Sequence, residues 1–207
     1  MAPTLTRTAP EIAKATAGQE PTLSRTLARA FYDDPVSIYL WPDPASRLAK
    51  LNRFFLEIAL PETMPHGQTY ANAETTGAAL WVPPGDHPKP GLLDQLRQLR
   101  TIASLFGRDT RRALRALSWQ EDQHPHEPHH YYLWLLGVNP EHQGQGIGSA
   151  LLQPVLDRAD DEGVPAYVEA TSERNRALYG RHGFEDVKTV YWPDGGPPLF
   201  LMWREPR

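Results

Sequence analysis

The chain has 207 residues, 40% hydrophobic and 22% charged, the balance of an ordinary soluble globular protein able to bury a real core. A formal net charge of −4 argues against a dedicated nucleic-acid binder, and the absence of cysteine excludes disulfides, thiolate metal sites and a cysteine nucleophile. No apolar run approaches a membrane span, and residues 1–10 lack the pattern of a secretory signal, so a cytoplasmic protein with no membrane partner is expected.

In chain order, a short strand is expected near residues 4–8, then a helix over 21–32 with Leu23, Leu27, Ala30 and Phe31 on one face. Asp33-Asp34-Pro35 is read as its stop. A second helix, 44–59, spaces Leu48, Leu51, Phe55 and Ile58 for one buried stripe. Strands over 68–73 and 76–82 follow, and Pro83-Pro84-Gly85 ends them. Residues 86–128 read as a helical insertion. Leu92, Leu93, Leu96, Leu99, Ile102 and Leu105 mark one helix, Ala113, Leu114 and Leu117 a shorter one, and residues 119–128 an irregular stretch.

The last 80 residues are the most legible. Residues 131–138 form a nearly continuous apolar run, as in a strand buried on both faces. A glycine turn then leads into a helix over 146–162 that turns Ile147, Leu151, Leu152, Val155, Leu156 and Ala159 inward. A buried strand over 166–170, a short helix capped by Ser172 and ending at Gly183, and strands over 184–191 and 199–203 complete the chain. This order predicts an α/β (α+β) sheet that is mixed rather than purely parallel.

The turn Gln143-Gly144-Gln145-Gly146-Ile147-Gly148 lies between a buried strand and a helix start. Unpaired N–H groups and the helix dipole make such a place an anion site. Glycines let the backbone approach phosphate oxygens, and Ser149 adds a hydroxyl. The phosphate-loop pattern is absent, because no lysine precedes Ser149. The two-and-two spacing of Gly144, Gly146 and Gly148 also fails the dinucleotide fingerprint.

Residues 138–148, with Gln143, Gly146 and Gly148 at the fixed positions of Gln/Arg-x-x-Gly-x-Gly/Ala, resemble the signature of the GNAT superfamily of N-acetyltransferases. The likeness continues through 169–179 and 181–185, covers 131–185 clearly, and is fainter in 27–31. Within the superfamily the layout is most similar to puromycin N-acetyltransferase and its actinobacterial relatives. The resemblance implies one GNAT domain over 1–207, with a mostly antiparallel twisted sheet of about 6–7 strands, helices on both faces and a splayed central strand pair. It implies acetyl-CoA as cosubstrate and no metal, a small-molecule primary amine as acceptor, direct attack in a ternary complex, and a monomer or homodimer. Backbone groups of Leu136, Gly137 and Val138 would meet the pantetheine arm. The amides of Gln143, Gly144, Gln145, Gly146, Ile147 and Gly148, with Ser149, would hold the pyrophosphate. Asn175 would touch the arm and Tyr179 would lie near the thioester sulfur. A non-catalytic acyl-CoA sensor, and transfer of another acyl group or to a protein amine, are the alternatives.

Acetyl transfer needs a neutral amine, donors for the carbonyl oxygen and a proton for the departing thiolate. The N–H of Leu136 is the expected oxyanion donor, and Tyr179, four residues after Asn175 on one helix face, the expected acid. Glu169 is the expected base, because a carboxylate in the apolar strand Tyr167-Val168-Glu169-Ala170 is costly to bury without a role. The alternative for it is a structural carboxylate that pairs with Arg174 or caps the next helix. Trp81, His130 and Tyr131 are the expected acceptor-pocket residues. His124, His126, His129 and His130 match no metal-ligand spacing, and Arg108, Arg111, Arg112 and Arg115 read as a solvated basic face.

Overall fold

Apolar segments long enough for strands recur along the chain, and seven of them pair into one sheet. The computed structural model describes residues 10–85 and 92–207, so the strand expected near residues 4–8 and the start of the 86–128 segment lie outside the described residues. The strands are β1 (Ile12–Lys14), β2 (Thr69–Asn72), β3 (Gly77–Val82), β4 (Tyr131–Val138), β5 (Ala166–Ala170), β6 (Glu185–Tyr191) and β7 (Pro198–Arg204), in the order β1-β2-β3-β4-β5-β7-β6. Only β4 and β5 run parallel; all other neighbours are antiparallel. The α+β sheet is mixed and mostly antiparallel, as expected.

Helix α1 (Glu20–Ala30) buries Leu23 and Leu27, and α7 (Ile147–Glu162) buries the six residues its periodicity named. Helix α8 (Glu173–Arg181) starts at Ser172, whose hydroxyl accepts from the N–H of Asn175. Helix α1 ends at Ala30, before Asp33-Asp34-Pro35, and the structure adds a second role to that segment. Asp34 is also the N-cap of a short helix, α2 (Pro35–Leu40), accepting from the N–H groups of Val36 and Ser37. Pro35 occupies the first helical position, where a missing N–H costs nothing.

Helix α3 (Pro44–Phe54) runs on through a π-helical turn, Phe55–Ala59, into α4 (Leu60–Thr63). The expected stripe holds for Leu51 and Phe55, but Leu48 is 45% exposed. Arg47 takes the buried position instead, donating to the carbonyls of Trp41, Pro42 and Tyr32. Between β3 and β4 lie α5 (Leu92–Phe106) and α6 (Thr110–Gln123), joined by a turn at Gly107–Asp109. The stretch read as irregular from residue 119 is therefore helical to Gln123. Arg112 is not part of a solvated face either: it donates to the Tyr39 and Leu40 carbonyls and lies over the Tyr39 ring.

Two register features shape the sheet. Strands β4 and β5 pair only from Tyr131↔Ala166 to Leu133↔Val168, and then part. On the other edge of β4, Leu80 faces Leu135 while Trp81 faces Leu133, so Trp134 is one extra residue, a β-bulge. Before the bulge Tyr131 and Leu133 pack under α7. After it, Leu136 and Val138 do so, while Leu135 joins the cluster of α1 and α3 on the opposite face. The strand is thus not buried along its length as expected. Trp134, Leu135 and Leu136 are half-buried, because they border the gap where the strands part.

The carboxyl end is fastened by Arg204, which grips Asp160 with two hydrogen bonds of 2.7 Å and donates to the His182 carbonyl. The guanidinium holds the Asp160 carboxyl below the usual carboxylate range. A depressed carboxyl stabilises the fold at pH values above the ordinary carboxylate pKa, and that contribution is lost as pH falls through the lower folded value. Asp160→Asn is expected to cost on the order of 2 kcal/mol at pH 7, measured by urea unfolding, with the difference from the parent shrinking below about pH 4.

Among the described residues no helix is long and apolar enough to cross a membrane.

Candidate active site

The glycine turn ends β4 in the conformation its composition dictates. Gly144 and Gly146 have φ of +71° and +83°, values that side-chain-bearing residues rarely adopt, and Gly146 is the N-cap of α7. A Cβ built on either glycine would meet no protein atom within 4 Å, so the turn presents bare backbone to open space. The Gln143 side chain turns back, and its Nε2 donates to the Val138 carbonyl at 3.0 Å.

That open space is a groove. Its walls include Leu136, Gly137, Val138, Gln143, Gly144, Gly146, Ile147, Gly148, Ser149, Asn175 and Tyr179, eleven of the twelve residues the sequence assigned to cofactor binding. The exception is Gln145, which is exposed and does not line it. The sequence reading missed Arg174, Arg181 and His142 on the same walls, basic groups beside a helix N-terminus.

The Leu136 N–H also has the expected aspect. Asn139 donates to the Thr76 carbonyl at 2.8 Å, and antiparallel partners exchange hydrogen bonds at every second residue. The register Ala78↔Gly137 and Leu80↔Leu135 then directs Gly137 and Leu135 to β3, which turns the N–H of Leu136 towards the gap beside β5.

A second space of about 240 Å³ fills the other side of that gap. Its wall is aromatic and aliphatic, with Trp41, Phe54, Phe55, Phe106, Trp134 and Trp192 prominent. Phe54 meets Trp41 and Trp134 at ring centroid distances of 5.9 and 6.4 Å. The segment between β3 and β4 supplies Ile102, Phe106, Leu117 and Gln120 to this wall.

Groove and cavity share Phe31, Asp34, Leu136, Asn175 and Tyr179. At this junction Asn175 Nδ2 donates to the Thr171 hydroxyl at 3.4 Å, and that hydroxyl donates to Asp34 Oδ2. Burial pushes the Asp34 carboxyl up, against the Thr171 and backbone hydrogen bonds that favour its charged form. Tyr179 is 4% exposed, and burial, with the Asp34 charge adding, raises its phenol above the ordinary value. The phenol therefore keeps its proton throughout the neutral range.

Glu169 lines the cavity but not the groove, its side chain 4% exposed. Its Oε2 accepts from Gln120 Nε2 at 2.6 Å and from the Tyr132 hydroxyl at 3.4 Å, and Oε1 accepts from the Tyr167 hydroxyl at 3.2 Å. It neither pairs with Arg174 nor caps α8. The nearest basic group is His124, with Nδ1 3.9 Å from Oε1. His124 in turn meets His130 at 3.3 Å between their Nε2 atoms. Among the described residues, no group of three or more His, Asp or Glu side chains is placed to hold a metal ion.

Trp81, His130 and Tyr131, expected in the acceptor pocket, do not line it. Trp81 and Tyr131 belong to the core under α7, on the opposite face of the sheet from Trp134 and Leu135. The Tyr131 hydroxyl donates to Glu162 at 2.6 Å. His130 is held by the Pro128 carbonyl, and its burial favours the neutral ring. Strand alternation fixes Trp81 and Tyr131, and the sequence alone does not show on which side of the bulge a residue falls.

Comparisons with known proteins agree with this geometry. A family model described as "Acetyltransferase (GNAT) family" matches residues 97–184. The chain is 28% identical over 199 residues to an uncharacterized N-acetyltransferase of Schizosaccharomyces pombe, covering 87% of this chain and 77% of the other. A Corynebacterium glutamicum structure, described as histone acetyltransferase HPA2 and related acetyltransferase, superposes with a TM-score of 0.69 at 27% identity over 97% of this chain and 98% of that one. The Drosophila melanogaster polyamine N-acetyltransferase shares the fold, with a TM-score of 0.56 at 16% identity, covering 94% and 99% of the two chains.

Proposed function

We propose that this chain is an N-acetyltransferase of the GNAT type, which draws its acetyl group from acetyl-CoA and passes it to the primary amine of a small molecule that attacks directly in a ternary complex; the family match and the relatives support this reading. One observation carries this reading: a basic-walled groove and an apolar cavity meet at Phe31, Asp34, Leu136, Asn175 and Tyr179. Two substrates that enter from opposite sides would bring their reacting ends together there.

The groove suits the donor, since the uncovered amides at Gly144 and Gly146 form a cradle that a Cβ would fill. Bound acetyl-CoA supplies an activated thioester carbon and a thiolate leaving group. This chain's residues do the rest. The N–H of Leu136 donates to the carbonyl oxygen as charge builds on it. The Tyr179 hydroxyl donates to the sulfur, Asn175 holds the pantetheine arm, and the Glu169 carboxylate accepts the amine's proton directly or through one water.

Calorimetric titration of acetyl-CoA, followed by CoA-release assays over an amine panel, tests the reading; absence of binding at millimolar ligand refutes it. Gly146→Val should weaken acetyl-CoA binding tenfold or more, about 1–3 kcal/mol, because valine cannot keep the positive φ that aims the turn. Unchanged affinity in the same titration would remove the pyrophosphate role from the turn.

A further inference from the structure

The cavity beyond the junction has a chemical character that restricts the acceptor more tightly than "amine". Among the described residues no lysine, arginine or histidine lines it, and His124 stands outside the wall, its Nδ1 3.9 Å from Glu169 Oε1 and beyond hydrogen-bond distance. The polar groups are few: Asp34, Ser37, Gln120, Glu169, Thr171, Asn175 and Tyr179, with the wall otherwise apolar or tryptophan.

The two carboxylates differ. Asp34 is committed, with Oδ1 accepting from two backbone N–H groups and Oδ2 from Thr171. It also stands at the donor end, and its burial favours the neutral form. Glu169 is only three-quarters satisfied. A carboxylate offers about four acceptor positions, and three are taken, all by uncharged donors from Gln120, Tyr132 and Tyr167. A buried carboxylate surrounded by aromatic rings, with one position open, is a place for one ammonium group.

Resting on the acetyltransferase reading above, we infer that the acceptor is a monocationic amine with an uncharged, aromatic or alkyl body, whose ammonium is received by Glu169 while its body packs against Trp41, Phe54, Phe106 and Trp134. Exclusion follows from the same wall. An amino acid would bring a carboxylate that no cation in the cavity can pair, and a diamine would bring a second ammonium against aromatic carbon with no second free carboxylate. An unpaired charge of either sign costs far more than the apolar contact gains.

Matched pairs isolate each charge. The intact protein is assayed for CoA release with 2-phenylethylamine against phenylalanine, which differ by one carboxylate, and with octylamine against 1,8-diaminooctane, which differ by one ammonium. Expected are kcat/KM ratios of about 100-fold or more in the first pair and about tenfold or more in the second. Leu117 lines the cavity from α6 and is only half-buried, so Leu117→Glu adds a carboxylate at little risk to folding. It should shift the second ratio about tenfold towards the diamine. Ratios near one or reversed, or no turnover of either monoamine by protein that binds acetyl-CoA in calorimetry, overturn the acceptor assignment alone. Failure to bind acetyl-CoA overturns the reading beneath it.

Discussion

Tyr179→Phe is expected to lower kcat by about 10²–10³-fold while leaving the dissociation constant of acetyl-CoA within about twofold. The ring is a wall of both groove and cavity and packs edge-on against Phe184 at 5.9 Å, so phenylalanine keeps the shape and the core contact. Only the hydroxyl is lost. Burial keeps that hydroxyl protonated far above neutral pH, the state a donor to a departing thiolate needs. The effect should therefore fall on turnover across the whole neutral range, with no new titration at alkaline pH. Steady-state kinetics beside calorimetry separates the two quantities; an unchanged kcat would leave Tyr179 a core aromatic and nothing more.

The second large effect is expected at Glu169. Glu169→Gln keeps the volume but cannot take a proton, and kcat/KM for a good amine should fall by about 10²–10⁴-fold. Gln120 and the two tyrosine hydroxyls that hold the carboxylate are donors, and the new amide keeps a carbonyl to accept from one or two of them. A stable, folded variant is expected for that reason, with thermal unfolding as the check. A folded variant with unchanged kcat/KM would move base duty elsewhere in the cavity.

The groove was legible in the sequence because its physics is local. A strand, two positive-φ glycines and a helix start lie within a dozen residues, and Asn175 and Tyr179 share one helix face by spacing alone. The cavity was not. Its wall is gathered from α2, α3, α5, α6 and β4, segments far apart in sequence that carry ordinary core residues. Trp134 and Trp81 have the same composition signal, yet one lines the cavity and the other sits in the core under α7. At Asp34 only half of the role was legible. Asp-Pro after an apolar helix marks the end of one helix, and only the hydrogen bonds from Val36 and Ser37 show that it also begins the next. Glu169 was singled out on the premise that a carboxylate inside an apolar strand has a reason to be there, and none of its hydrogen-bond partners was foreseen.

The extra residue in β4 works as an index mark. Upstream of Trp134 the odd-numbered residues pack under α7; downstream the even-numbered ones do. A single-residue deletion at that point would leave the composition of β4 almost untouched and still re-address everything before it. Tyr131 and Leu133 would exchange faces with Tyr132, and the fastening of Tyr131 to Glu162 would be lost. The same chain can therefore keep its glycine turn intact, bind the same donor and present a different wall to the acceptor. In such a scaffold a change of one codon's length reaches substrate choice more directly than any single substitution in the turn.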